Sequence, residues 1–101
     1  MTRHRSIEPT HPGELFREDV LPALRLTIKE AAEKLRVSRQ ALHALIRDKN
    51  PARLSPEMAA RIGKFCGNGP ALWLRLQADY DAWHATREIN ISRVPTLVAA
   101  E

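Results

Sequence analysis

Two residues, Arg36 and Val37, are all that separate one amphipathic helix pattern from the cap of the next. Upstream, Thr27 stands three positions before Glu30, the spacing of a capping box, and predicts a helix over Ile28 to Leu35. Downstream, Ser38 is placed to cap a helix running from Arg39 to about Arg47. So short a join sets a sharp angle between the two helices, and it demands small or well-fitted residues where they touch. Ala31 and Ala32 supply the close approach, Leu35 and Val37 plug the turn, and Leu42 with Leu45 pins the second helix of the pair to the body.

The same 3.6-residue periodicity recurs in three further stretches, punctuated by proline and glycine. A first helix starts at Pro12, with His11 before it, Glu14 in its first turn, and Leu15, Phe16 and Val20 facing inward. Pro22 disrupts that pattern, and Leu24 and Leu26 follow as core-seeking residues. Ser55-Pro56-Glu57 combines a cap, a proline at the first helical position and an acid in the first turn, so a fourth helix runs from there to about Cys66. Gly67-Asn68-Gly69-Pro70 stops it and starts a fifth, which continues to about Thr86. Ile89-Asn90-Ile91-Ser92 alternates over too few residues for more than a weak strand, and Pro95 to Glu101 reads as a mobile end. The expected architecture is an all-α five-helix bundle: a flexible basic arm over residues 1–10, one domain over 11–87, and a tail over 88–101. A chain of 101 residues with 44% apolar content supports one such core without disulfides. The lone Cys66, among Met58, Ile62 and Phe65, is expected as a buried thiol in a reducing cytoplasm. No apolar run approaches the roughly 20 residues of a membrane span, and Met1 to Thr10 lacks the apolar centre of a signal peptide. These readings predict a cytoplasmic protein with no membrane partner.

Charge singles out the same corner. Between Arg36 and Arg53, five cations against Asp48 give +4, which equals the formal net charge of the whole chain. A basic surface confined to one region is a docking place for a polyanion, which gains affinity by releasing counterions. On the third helix Ala41, Leu42, Leu45 and Ile46 share one side, while Arg39, Gln40, His43 and Arg47 share the other. A polar face on the second helix of a tight pair is the arrangement of a helix-turn-helix, whose second helix lays side chains against base edges in the major groove of duplex DNA. Arg39, Gln40 and His43 are the expected base readers: Arg matches guanine O6 and N7, and Gln matches adenine N6 and N7. His43 is either a reader or a solvated surface histidine. Thr27 and Ser38 cap their helices and are also placed to meet phosphates; Arg47, Lys49 and Arg53 are expected phosphate contacts that position without reading sequence. Arg3 and Arg5 form a small basic arm, either reaching the DNA or idle.

The fifth helix carries more apolar surface than one core-facing stripe requires. Trp73, Leu76, Tyr80 and Trp83 are therefore the candidate seam of a homodimer, with return of the aromatic residues to the chain's own core as the alternative. Two reading heads about 34 Å apart suit a palindromic operator.

Four separated motifs carry a family likeness: His11-Pro12-Gly13-Glu14, Val37-Ser38-Arg39-Gln40, Ser55-Pro56-Glu57-Met58-Ala59 and Trp73-Leu74-Arg75-Leu76-Gln77-Ala78-Asp79-Tyr80. The chain resembles the HigA-type (VapI/HigA-like) antitoxins of the XRE helix-turn-helix class from about Glu8 to Trp83. The resemblance implies a lambda-repressor-like DNA-binding fold. It also implies a homodimer that represses its own operon, and a cognate HigB-type toxin, an mRNA-cleaving endonuclease, held inactive. Two departures stand out. The family commonly has glycine in the turn where this chain has Arg36, and it tends to have Asn-Gly after the third helix where this chain has Asp48-Lys49-Asn50-Pro51. A stand-alone repressor without a toxin and a protein-binding module with a basic patch are the competing readings. An enzyme is not expected. His4, His11, His43 and His84 lack metal spacing, no glycine-rich phosphate loop occurs, neither a serine nor Cys66 has a base partner, and Glu18, Asp19, Asp79 and Asp81 read as solvated. Neither metal nor cofactor is expected.

Overall fold

A proline or a hydroxyl cap, each where the chain must turn, opens every one of the five helices among the described residues. The computed structural model describes residues 7–98, so the arm residues Arg3 and Arg5 lie outside the described part. Helix α1 spans residues 12–24 in three contiguous pieces, Pro12–Leu15, a π-helical turn Phe16–Val20, and Leu21–Leu24. It is followed by α2 (Ile28–Leu35), α3 (Arg39–Ile46), α4 (Pro56–Cys66) and α5 (Pro70–Glu88).

The caps explain the boundaries. The Thr27 hydroxyl accepts from the Glu30 N–H at 3.1 Å while the Glu30 carboxylate accepts from the Thr27 N–H at 2.9 Å, completing the box. Ser38 and Ser55 accept from the Ala41 and Met58 N–H groups, each at 3.0 Å. His11 itself caps α1, its Nδ1 accepting from the Gly13 N–H at 2.9 Å. Gly67 ends α4 at φ 81°, the left-handed conformation a helix stop asks for.

Pro22 does not end α1 as its position in the sequence suggests. Leu21 N–H bonds back to Phe16 C=O across the π turn, and the helix runs on to Leu24. The wider turn is the physical reason: proline has no N–H to give, and its ring clashes with the carbonyl four residues back in a regular α-helix. Four other expectations shift. Leu24 and Ala41 are exposed, Cys66 is half-buried, and residues 89–92 form no strand but lead into a turn closed by Val94 N–H on the Ile91 carbonyl.

The core is built from every helix: Phe16 and Leu21 of α1, Ala31, Ala32 and Leu35 of α2, Leu42, Leu45 and Ile46 of α3, Ala59 and Ile62 of α4, Trp73 of α5, and Leu54 from the loop. Two glycines permit backbones to touch. A Cβ on Gly13 would lie 1.9 Å from the Leu45 carbonyl oxygen, and one on Gly63 would lie 2.2 Å from the Gly69 carbonyl carbon. Through Gly13 the start of α1 rests directly on the end of α3, and so helps set its direction.

Candidate nucleic-acid interface

The corner is held as its spacing predicts. Ala31, Ala32 and Leu35 are buried, Val37 is half-buried, and the Val37 N–H closes on the Ala32 carbonyl at 3.1 Å. Arg36 takes the left-handed turn position at φ 62°, a conformation that usually favours glycine.

Two arginines absent from the sequence reading tie down the C-terminal ends of the two helices. Arg61 of α4 donates to the Leu35 carbonyl at 3.1 Å while pairing with Glu57 at 3.0 Å. Arg17 of α1 donates to the Ile46 carbonyl, pairs with Glu18 at 2.8 Å and approaches Asp48 at 4.0 Å. Each places a cation at the negative end of a helix dipole and satisfies an orphan carbonyl. Both contacts bridge residues 26 or more positions apart, so no local pattern announces them.

With α3 fixed, Leu42, Leu45 and Ile46 face the core, and Arg39, Gln40 and His43 are exposed. Among the described residues the side chains of these three make no hydrogen bond or ion pair. They line a shallow concavity with Thr27, Ile28 and Lys29 from the start of α2, and with Ala44 and Arg47 further along α3. The concavity thus joins the polar outer face of α3 to the positive end of α2, where a helix N-terminus favours an anion. Lys29 is a cation on this rim that the sequence reading overlooked.

The expected phosphate contacts divide. Ser38 and Thr27 are exposed at the two helix starts. Arg47 lends its Nε–H to the Asn50 carbonyl at 2.9 Å, shaping the loop, and Lys49 is exposed on it. Arg53 instead pairs with Asp81 at 2.8 Å. Asp81 also accepts from Gln77 at 2.9 Å, and the buried Gln77 accepts from the Leu54 N–H at 2.7 Å. Arg53 and Asp81 therefore belong to a polar clamp fastening the loop to α5, which corrects the reading of Asp81 as merely solvated. Gln77 sits in the fifth-helix motif, but its buried role depends on a loop 23 residues away.

The proposed dimer residues divide as well. Trp73 is 2% exposed, stacks edgewise on Phe16 at 6.3 Å, and donates its indole N–H to Asn68 at 2.9 Å. It belongs to the chain's own core, a correction that follows from α1 lying across the start of α5. Leu76, Tyr80 and Trp83 are half-buried. Tyr80 packs against His11 at 4.8 Å and His84 at 4.3 Å, and Trp83 carries the Arg87 guanidinium over its ring at 3.9 Å.

Two histidines titrate in opposite senses. Burial holds His11 below its ordinary value against the opposing pull of the Ala52 backbone, Asp81 and Glu8. His84 is raised chiefly by its hydrogen bond to Glu88, and further by Glu8. Neither faces the α3 concavity.

No protein-family model matches the chain. It is 41% identical over 83 residues to the HTH-type transcriptional regulator YbaQ of Escherichia coli, covering 82% of this chain and 72% of that protein. It is 31% identical over 75 residues to the antitoxin HigA-1 of Vibrio cholerae, covering 74% and 69%. The fold matches that of PA4674 of Pseudomonas aeruginosa, solved in complex with its operator DNA, with a TM-score of 0.74 and 25% identity over 86% of this chain and 92% of the other.

Proposed function

This chain belongs to the family of HTH-type transcriptional regulators that includes the antitoxin HigA-1, and from that premise we propose that it is an antitoxin that represses its own operon. The carrying observation is the outer face of α3: Arg39, Gln40 and His43 stand exposed and unpaired on a helix anchored at both ends. That is the state a base-reading face needs before binding, since no internal contact has to break first. In this reading the three residues meet base edges. Thr27 and Ser38 meet phosphates at the helix starts, joined by Arg47 and Lys49, while Arg53 reaches a phosphate only by giving up Asp81. The operator complex of PA4674 supports DNA as the partner.

A homodimer on a palindromic operator, joined along α5 through Leu76, Tyr80 and Trp83, completes the repressor, since one head alone buries little surface. The second partner is a HigB-type toxin held inactive in the cytoplasm. The chain's own role is binding, with no catalytic step assigned to it. Gel shift on the chain's own promoter tests the reading. Retention by the wild type, lost on that site alone for Arg39→Ala or Gln40→Ala, is the expected result; no retention at low salt overturns it. Purification from the native host with the neighbouring gene product bound supports the toxin partner, and a chain that purifies alone leaves a stand-alone repressor.

A further inference from the structure

We infer that residues 89–98 of one copy lie along the α5 face of a second copy, the two copies exchanging tails; this rests on the homodimer proposed above and names what holds it together. The segment is apolar and uncovered. Ile89, Ile91, Val94, Leu97 and Val98 are 60% to 89% exposed, more apolar surface than a solvated tail carries without a partner. Its only structure is a turn, with Val94 N–H on the Ile91 carbonyl at 3.0 Å and Ser92 N–H on the Asn90 side chain at 3.0 Å. It does not fold back onto its own chain.

The complementary surface is a shallow groove beside α5 lined by Leu76, Asp79, Ala82 and Trp83, with Pro9 and Thr10 at its edge. One of its features asks for a partner. Asp79 is exposed with no ion-pair partner among the described residues, in a largely apolar surface. The tail supplies the counterpart: Arg93, an exposed cation likewise without an ion pair among the described residues. A two-fold pairing makes the contact reciprocal, so every groove is filled and no tail is left over.

Charge reversal in the full-length protein tests the exchange, using two exposed positions and sedimentation over a concentration series. Asp79→Arg and Arg93→Asp alone are each expected to weaken dimerisation by about tenfold, through loss of a pair and gain of a repulsion. An equimolar mixture of the two variants is expected to restore wild-type affinity, because both grooves then face a tail of opposite charge. Single variants that dimerise like the wild type overturn the exchange while leaving the dimer standing. Weakened variants that the mixture fails to rescue also overturn it, by placing the contact within one chain. A wild type that stays monomeric throughout overturns the dimer itself, and the exchange with it.

Discussion

Between Gly13 and the Leu45 carbonyl there is no room for a side chain: a Cβ would stand 1.9 Å from that oxygen, which belongs to the backbone and cannot swing aside. Gly13→Ala is therefore expected to destabilise the fold by about 3 kcal/mol or more, because relief requires α1 or α3 to move as a unit. A thermal melt reads this as a drop of more than about 10 °C. Variants that still fold are expected to bind the operator less well, since α3 leans on that contact. Substitutions on the outer face behave differently. Arg39→Ala and Gln40→Ala remove exposed, unpaired side chains and are expected to leave stability within about 0.5 kcal/mol. Each is expected to cost roughly 1–3 kcal/mol on the operator and to relax preference at one base pair. Lys49→Ala is expected to weaken specific and random DNA alike and to lessen the salt slope by about one. Competition assays with mutated operators separate these two behaviours; an Arg39→Ala loss equal on all sequences removes it from base reading.

At the scale of elements, helix bounds were legible, Leu35 and Cys66 included, but the contacts that hold the ends were not. Thr27, Ser38 and Ser55 act on backbone N–H groups three residues away, so spacing alone reveals them. The ends of α2 and α3 are held by Arg61 and Arg17, which come from other helices. The corner itself was legible down to Ala31, Ala32, Leu35 and Val37. For α5 the pattern was ambiguous, because its apolar residues spread round the cylinder. Only Phe16 and Asn68, brought beside it by the fold, assign Trp73 to the core and leave Trp83 at the surface. The turn offers a test of element-level strain. Arg36 sits at φ 62°, and Arg36→Gly is expected to stabilise the chain by up to about 1 kcal/mol by removing the left-handed penalty, offset in part by the freer unfolded backbone. Ser38→Ala is expected to cost about 1 kcal/mol by uncapping α3. Chemical denaturation measures both. A destabilised Arg36→Gly would mean that the Arg36 side chain does more at the turn than fill it.

The whole molecule carries two opposed histidines, and their signs fix the shape of its stability profile. His11 caps α1 with its Nδ1 and is buried, so folding favours the neutral ring and lowers its pKa from 6.5. Its contribution is complete above that value and is lost as pH falls towards the depressed one. His84 bridges Glu8 and Glu88, so folding favours the charged ring and raises its pKa from 6.5. Its contribution is complete below that value and is lost as pH rises through the raised one. Both contributions are present in full only near the ordinary histidine pKa, and stability is expected to peak there, with a gentler alkaline limb because the His84 bridge is partly solvated. Thermal melts between about pH 5 and 8.5 trace the two limbs, in the range where histidine is the main side chain to titrate. His84→Gln is expected to flatten the alkaline limb alone. His11→Asn, which keeps a capping oxygen, is expected to flatten the acid limb. Because neither ring faces the α3 concavity, operator affinity measured on folded protein is expected to follow neither limb. An affinity that tracked the acid limb would place His11 in the binding step through Gly13, whose N–H it caps and which rests on the Leu45 carbonyl at the end of α3, making the domain's core part of how the proposed reading face is held.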